Sequence, residues 1–326
     1  MKAIVYSEFG SPDVLQLAEI DQPTPKAGEV LVKVRAASAN PLDWHFIRGE
    51  PYAMRLMGKP KGRIPGVDFA GQIESLGANV TQFRAGDEVF GTGRGAFAEY
   101  ACANAGNLAL KPKALGYEQA AAIPVAACTA LMAVRDHGKL RPGQSVLVNG
   151  AAGGVGTFAV QIAKALGGNV TGVCSTSNLD LVRSIGADDV IDYTDEDFAR
   201  GRQYDVVLHV AGNRSLADHR RALTPDGTLV LVGGGAGRDW GSSPTLDMLG
   251  TLAFVIGRGI FSRFLHQRIR MFVGKIRHSD LAFLAELSEA GKLRPVIDRS
   301  YPLAEAREAI RHVETGHARG KVVVVP

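Results

Sequence analysis

Glycines at 150, 153, 154 and 156 lie in the run Gln144-Ser-Val-Leu-Val-Asn-Gly-Ala-Ala-Gly-Gly-Val-Gly-Thr157. A side chain at these positions would hold a ligand's phosphates away from the backbone. Open N–H groups at the start of a following helix would favour an anion there. Such a cluster is also what an ordinary tight βα turn carries, so its neighbours decide. Val146-Leu-Val148 is a short apolar run bounded by turn residues, as for a strand buried on both faces. Phe158-Ala-Val-Gln-Ile-Ala-Lys-Ala-Leu166 has helical spacing and is stopped by Gly167-Gly168. Asn169-Val-Thr-Gly-Val-Cys174 is a second strand. Strand, glycine turn, helix and strand in this order form a βαβ unit that predicts dinucleotide binding by Gly150, Ala152, Gly153, Gly154, Val155 and Gly156.

The second strand runs into Ser175-Thr-Ser-Asn178, with no acid before Asp180. An acid there would bond the ribose hydroxyls of NAD and repel the extra phosphate of NADP. Hydroxyls and amides can donate to that phosphate, and Arg183 one turn on adds charge. The expected cofactor is therefore NADP(H), held by Ser175, Thr176, Asn178 and Arg183. Ser175 and Thr176 can equally cap the helix from Leu179, a role compatible with phosphate binding. Further strands are expected at 190–191, 205–210 and 228–233. Their ends place His209, Ala211, Val232, Gly233 and Gly234 along the same crevice, where plain turn formation is the competing role.

At 326 residues the chain has room for two domains. With 46% hydrophobic and 21% charged residues it has the balance of a globular protein, not a disordered or fibrous one. A net charge of +4 gives no reason to expect nucleic acid. Cys102, Cys128 and Cys174 form no C-x-x-C pair, which argues for a reducing compartment and against a zinc ribbon. No signal or transit segment is visible at Met1–Gly10, so a cytoplasmic location is expected.

Residues 1–120 read as β-rich, with strands at 2–6, 29–36, 68–76, 88–90 and 96–101 separated by glycine and proline turns. A helix can begin after Pro41, carrying Trp44 and Ile47 and ending at Gly49. Residues 118–134 are helical, with Pro124 as a kink or restart. Alternating strands and helices then give a doubly wound parallel sheet. Lys321-Val-Val-Val-Val-Pro326 is a closing strand expected to return to the β-rich part and make that domain discontinuous.

The motifs Asn40-Pro-Leu-Asp43, Pro65-Gly-Val-Asp-Phe-Ala-Gly71, Gly86-Asp-Glu-Val-Phe90, Ala151-Ala-Gly-Gly-Val-Gly156, Gly186-Ala-Asp188 and Gly320-Lys-Val-Val-Val324 follow one another over nearly the whole length. In this the chain resembles the zinc-free, quinone oxidoreductase (zeta-crystallin-like) branch of the medium-chain dehydrogenase/reductase superfamily, near bacterial relatives of the mitochondrial reticulon-interacting reductase. The resemblance implies an α/β fold: a GroES-like catalytic domain at 1–122 and 268–326, a Rossmann domain at 123–267, and a cofactor in the cleft between them. It also implies that Asn40 and Thr129 lie by the nicotinamide ribose and amide. Asn40 before Pro41 could instead be a turn residue, and Thr129 helix filler. Tyr52 falls near a tyrosine proposed as proton donor in relatives, and His45 falls where some carry another cleft tyrosine. Pocket lining or surface is the competing role for both.

Zinc-dependent cousins hold their ion at positions that correspond here to Asn40, Val67 and Val125, none a plausible zinc ligand. No metal is expected, and simple alcohol oxidation loses its usual Lewis acid. The segment 245–277 combines an apolar run with Arg258, Arg263, Arg268, Arg270, Lys275 and Arg277. It is too short to span a bilayer and reads as a helix with one buried face and a solvated basic face; a cover over the cleft and a subunit interface, or a surface for anionic lipid, are the functional alternatives. Three readings follow. The leading one is an NADPH-dependent reductase of quinones or α,β-unsaturated carbonyls, with a small-molecule substrate and a homodimer. The others are a cofactor-binding protein with little turnover, and an NAD(P)-dependent alcohol dehydrogenase.

Overall fold

The computed structural model describes residues 1–50, 55, 58–210, 214–232 and 266–326. The chain divides into two units, one of residues 1–128 and 275–326, the other of 129–274.

The first unit opens with β1 (Lys2–Val5) paired antiparallel to β2 (Gln16–Glu19). Its main sheet is built from β3 (Glu29–Ala39), β4 (Asp68–Leu76), β5 (Glu88–Thr92), β6 (Tyr100–Asn104) and β7 (Leu108–Leu110). β3 pairs antiparallel with both β4 and β6, and β5 lies between β4 and β7. One face is apolar at alternate positions: Val30, Val32 and Val34 pack with Phe69, Ile73 and Phe97 in the core. After β3, α1 (Pro41–Arg48) starts with proline in its first turn and ends on Gly49, whose φ of 65° is the left-handed cap that glycine takes readily. Pro124 is a restart: α2 (Tyr117–Ala121) stops, and α3 (Pro124–Leu131) begins on the proline.

The second unit is a six-stranded sheet of β8 (Ser145–Asn149), β9 (Asn169–Cys174), β10 (Asp189–Asp192), β11 (Tyr204–His209), β12 (Leu223–Leu231) and β13 (Arg268–Met271). Every neighbouring pair is parallel, in the order β10-β9-β8-β11-β12-β13. The order reverses between β8 and β11, the topological switch of a Rossmann sheet. α4 (Gly154–Ala165) connects β8 to β9, α5 (Leu179–Ser184) connects β9 to β10, and α6 (Leu216–Arg221) precedes β12.

The first unit is completed by α7 (His278–Glu289), β14 (Ile297–Pro302), α8 (Ala306–Glu314) and β15 (Lys321–Val325). β15 pairs antiparallel with β3, Val322 opposite Ala39, so the closing strand does return to the β-rich part.

The two units meet at 128/129 and 274/275, close to the expected 122/123 and 267/268. One sequence expectation needs correction. Residues 268–271 were expected as part of a helix in the first domain, but β13 pairs in register with β12, Thr228 opposite Arg268. The reason is the period: in Arg268-Ile-Arg-Met271 the half-buried Ile269 sits between two exposed arginines. The rest of the basic apolar segment, to residue 265, lies outside the described residues. Among those described, no helix is long and apolar enough to cross a membrane.

Candidate functional site

In the second unit the carboxyl ends of the central strands are tied together by main-chain bonds. Gly150 and Ala151 donate to the carbonyl of Val173, Val210 to Asn149, and Val232 to His209. α4 starts at this edge beside the switch point. Its N-cap is Gly153, which offers no side-chain cap, so the first-turn N–H groups of Gly154, Val155 and Gly156 are left uncapped by it, as an anion site there would require. The glycines have distinct jobs. Gly150 has φ 88°. Gly156 packs so closely that a Cβ there would lie 2.0 Å from the Gly150 carbonyl oxygen. Ala152 is buried in the same turn. These features fit a dinucleotide phosphate.

At the end of β9, Asn178 Nδ2 donates to Ser175 Oγ at 3.1 Å, and the Thr176 and Thr194 hydroxyls lie 3.2 Å apart. Buried Asn178 Oδ1 has no hydrogen-bond partner. Arg183 is ion-paired with Asp180 on α5 at 3.3 Å. Sequence reasoning missed one acid: Asp192, in register with Cys174 across β9 and β10. Its carboxylate accepts from the Thr194 N–H at 3.0 Å and the Thr194 hydroxyl at 2.7 Å. Bonds from Thr176 and Thr194 hold its pKa below the usual carboxylate value. Only the strand pairing, which linear spacing does not reveal, could have found it. His209 closes β11, 3.4 Å from Asn149 Nδ2. Burial, then the neighbouring His219, pushes its imidazole down to about 4, so it is neutral near pH 7. Ala211, Gly233 and Gly234 lie outside the described residues.

In the first unit Asn40 is the meeting point of a buried polar network. Its Nδ2 donates to Asp68 Oδ2 at 3.0 Å and to the Ser38 carbonyl at 3.3 Å. Its Oδ1 accepts from Lys321 Nζ at 2.6 Å, and Nζ also donates to the Ala39 carbonyl at 3.2 Å. The Asn40 N–H donates to Asp43 Oδ2 at 2.8 Å, a carboxylate reaching back from the third helical residue as in a capping box. Both Asp68 oxygens accept from the Val125 N–H at 3.2 Å. Burial pushes the Asp43 carboxyl up to about 7 and that of Asp68 up to about 6, with Lys321 pulling both back down. Burial likewise lowers the Lys321 ammonium, against the attraction of both carboxylates. Sequence reasoning noticed Asn40 and Asp43 but not Lys321, which reads simply as the first residue of a strand.

The expected proton donors stand on or after α1. His45 stacks on Trp44, ring centroids 3.7 Å apart, with Nδ1 3.8 Å from Glu50. Burial lowers its pKa and Glu50 partly restores it, which leaves a neutral imidazole able to donate at pH 7. Tyr52 lies outside the described residues. Thr129 is half-buried on α3.

The expected metal positions do converge, since Asn40 Nδ2 and the Val125 N–H both bond Asp68 beside Val67. They do not fit zinc, which takes thiolate, imidazole or carboxylate. An amide and two valines supply none of these, Asp68 is already engaged, and the Lys321 ammonium occupies the amide oxygen. Among the described residues no group of three or more His, Cys, Asp or Glu could hold a metal ion.

Two family profiles match: alcohol dehydrogenase GroES-like domain over residues 26–113 and zinc-binding dehydrogenase over 185–324. Among curated relatives, the mouse mitochondrial NAD(P)H oxidoreductase RTN4IP1 is 34% identical, covering 99% of this chain and 89% of its own. The chloroplastic NADPH-dependent alkenal/one oxidoreductase of Arabidopsis thaliana is also 34% identical, over 100% of this chain and 80% of its own. Among solved structures, the quinone oxidoreductase from Coxiella burnetii superposes with TM-score 0.83 at 31% identity, covering 100% of this chain and 99% of that one.

Proposed function

Because the chain belongs to the medium-chain dehydrogenase/reductase superfamily, in its quinone oxidoreductase branch, we propose that it is an NADPH-dependent, metal-independent reductase of quinones or α,β-unsaturated carbonyl compounds. Oxidoreductase function with a nicotinamide cofactor is common to the relatives. The finer reading rests on one observation: positions 40, 67 and 125 supply no zinc ligand, and the Asn40 amide that donates to Asp68 is itself held by a lysine ammonium. Such a site lacks the means to polarise an alcohol oxygen, which points away from simple alcohols. The relatives named for quinones and for alkenals or enones agree with it.

Bound NADPH supplies the hydride for the substrate's electrophilic carbon. The second unit's part is binding, with the α4 N-terminus for the phosphates and Ser175, Thr176 and Asn178 for the adenosine end. The first unit's part is to place hydrogen-bond donors for the charge that develops on the carbonyl oxygen. His45 and Tyr52 are the candidates, with water able to substitute in part. Oxidation of NADPH by a panel of quinones, enones and aldehydes tests the reading. Turnover of at least one quinone or enone is expected. Tight NADPH binding without turnover of any of them would favour a binding protein instead.

Cofactor preference is tested at Ser175. The turn offers hydroxyls and an amide, the carboxylate of Asp192 already accepts from Thr194, and that of Asp180 is paired with Arg183. Ser175→Asp should weaken NADPH binding about tenfold or more, by opposing the phosphate, and improve use of NADH. A wild type that already prefers NADH would refute NADPH preference.

At the reacting end, His45→Ala and Tyr52→Phe are each expected to lower kcat about ten- to a hundredfold, since a single positioned donor is worth ~10²–10⁴ and water replaces part of it. Full activity of both variants on every working substrate would move the role to ordered water. The expected homodimer and cytoplasmic location remain part of the proposal, to be read from solution mass and cell fractionation.

A further inference from the structure

Among the described residues Lys321 is the one lysine or arginine in the buried class, 3% exposed. Its place follows from the fold: Val322 opposite Ala39 brings the first residue of β15 beside Asn40. Replacing a buried ionic group with an apolar one of similar size is often neutral or stabilising, so stability alone does not account for an ammonium here. What the ammonium supplies is direction. An asparagine amide could sit either way round, but a donor-only group at 2.6 Å fixes Oδ1 toward Lys321. That leaves Nδ2 for Asp68 and the Ser38 carbonyl. Asn40 is also the N-cap of α1, and its N–H is held by Asp43, so fixing the residue fixes the start of the helix that carries His45.

We propose that Lys321 is the resident cation of this site and a positioning residue: its ammonium holds the Asn40 amide in one orientation, and through it the start of α1 and the donors that α1 presents to substrate. The proposal rests on the reductase reading for its catalytic consequence but not for its structural one. Two carboxylates are linked to this cation through Asn40, Asp68 by the side-chain amide and Asp43 by the backbone N–H. Burial raises both carboxyls and lowers the ammonium, as it must where these groups share one dry pocket. A built-in cation also excludes a divalent one by repulsion, which explains why the donor set around Asp68 departs from a zinc site.

The test compares Lys321→Met with the charge-balanced pair Lys321→Met/Asp68→Asn. In the wild-type protein, the side-chain NH₂ protons of Asn40 should be protected from exchange with solvent and should have chemical shifts displaced from those of a free amide, since both are hydrogen-bonded. In both variants the protection should fall and the shifts should move toward those of a free amide, whether or not the protein turns over any substrate. The double variant should regain the thermal stability that the single one loses. With the quinone or enone that serves as substrate, its kcat should nevertheless stay down about tenfold or more, as displacement of a reacting group does. A double variant with wild-type kcat or unchanged Asn40 signals would reduce Lys321 to charge balance and overturn the proposal. So would failure of both variants to fold, since the role would then be structural. Stoichiometric zinc in the wild-type protein would also overturn it. If no quinone or enone is turned over, the reductase reading fails, while the Asn40 signals still decide the positioning role.

Discussion

Gly156→Ala should sharply weaken cofactor binding and destabilise the second unit, whereas Gly153→Ala, three residues earlier, should be tolerated. The two positions look alike in sequence and differ in what surrounds them. A Cβ on Gly156 would lie 2.0 Å from the Gly150 carbonyl oxygen and under 3 Å from the carbonyl carbons of Gly150 and Ala151. All of these are backbone atoms, and the turn holding them is bonded to Val173 on the neighbouring strand. It can yield only by moving α4 off the sheet. Overpacking of this kind costs ~1–3 kcal/mol, and here the obstacle is main chain, so the upper end is expected. The same movement draws the α4 N–H groups from the phosphates. Loss of one or two bonds to a charged group, at ~1.5–3 kcal/mol each, raises the dissociation constant for NADPH at least about tenfold. A Cβ on Gly153 meets only the Gly150 oxygen, at 3.6 Å, and the residue has φ −81°, open to any amino acid. Thermal melting and NADPH titration of the two variants check this. Equal tolerance at both positions would mean that α4 does not depend on this close packing.

The second large effect is on stability against pH. Asp43 and Asp68 have pKa values raised by burial to about 7 and about 6, from an ordinary value of 3.8. A carboxyl raised on folding keeps its proton in the native state after the unfolded chain has lost it. Between about pH 4 and 7 the native state therefore binds more protons, and stability falls as pH rises. This is the reverse of a salt-bridged carboxylate. Each pKa unit corresponds to ~1.4 kcal/mol, so a loss on the order of a few kcal/mol across that window is expected, with the two carboxyls titrating as a unit. Above about pH 7 these groups contribute no further slope. Urea unfolding at a series of pH values reads the slope directly. Asp43→Asn, which cannot ionise, should flatten it. Stability that is level or rising from pH 4 to 7, with acid-labile pairs elsewhere kept in view through the variant, would show that the buried cluster stays ionised.

Much of the second unit was legible in the sequence because its signals are local. The strand 169–174, the turn at 150–156 and the stop at Gly167-Gly168 depend on neighbours a few residues away, and period and glycine placement report them. The return of the last strand could be anticipated from an edge in need of a partner, and β15 against β3 supplies it. Lys321 and Asp192 were illegible for the opposite reason. Nothing near Lys321 marks it as buried, and only its register beside Asn40 makes it part of a site. Asp192 is remote from Cys174 along the chain and becomes its neighbour only through parallel pairing. Arg268–Met271 was misread because an apolar and basic run suggested one face of a helix, while its short alternation belongs to an edge strand.

The pairing of β15 with β3 also sets an order for biosynthesis. The contact between Lys321 and the Ala39 carbonyl spans 282 residues of chain. At ~5–20 residues per second, the ribosome delivers the second partner tens of seconds after the first. Throughout that interval the Ala37–Ala39 end of β3 lacks its β15 partner, while residues 129–274 emerge as a self-contained unit. The β-rich sheet, although its first strands are made early, is thus the part that finishes last. Until it does, the nascent chain presents the kind of strand edge on which chaperones and misassembly compete.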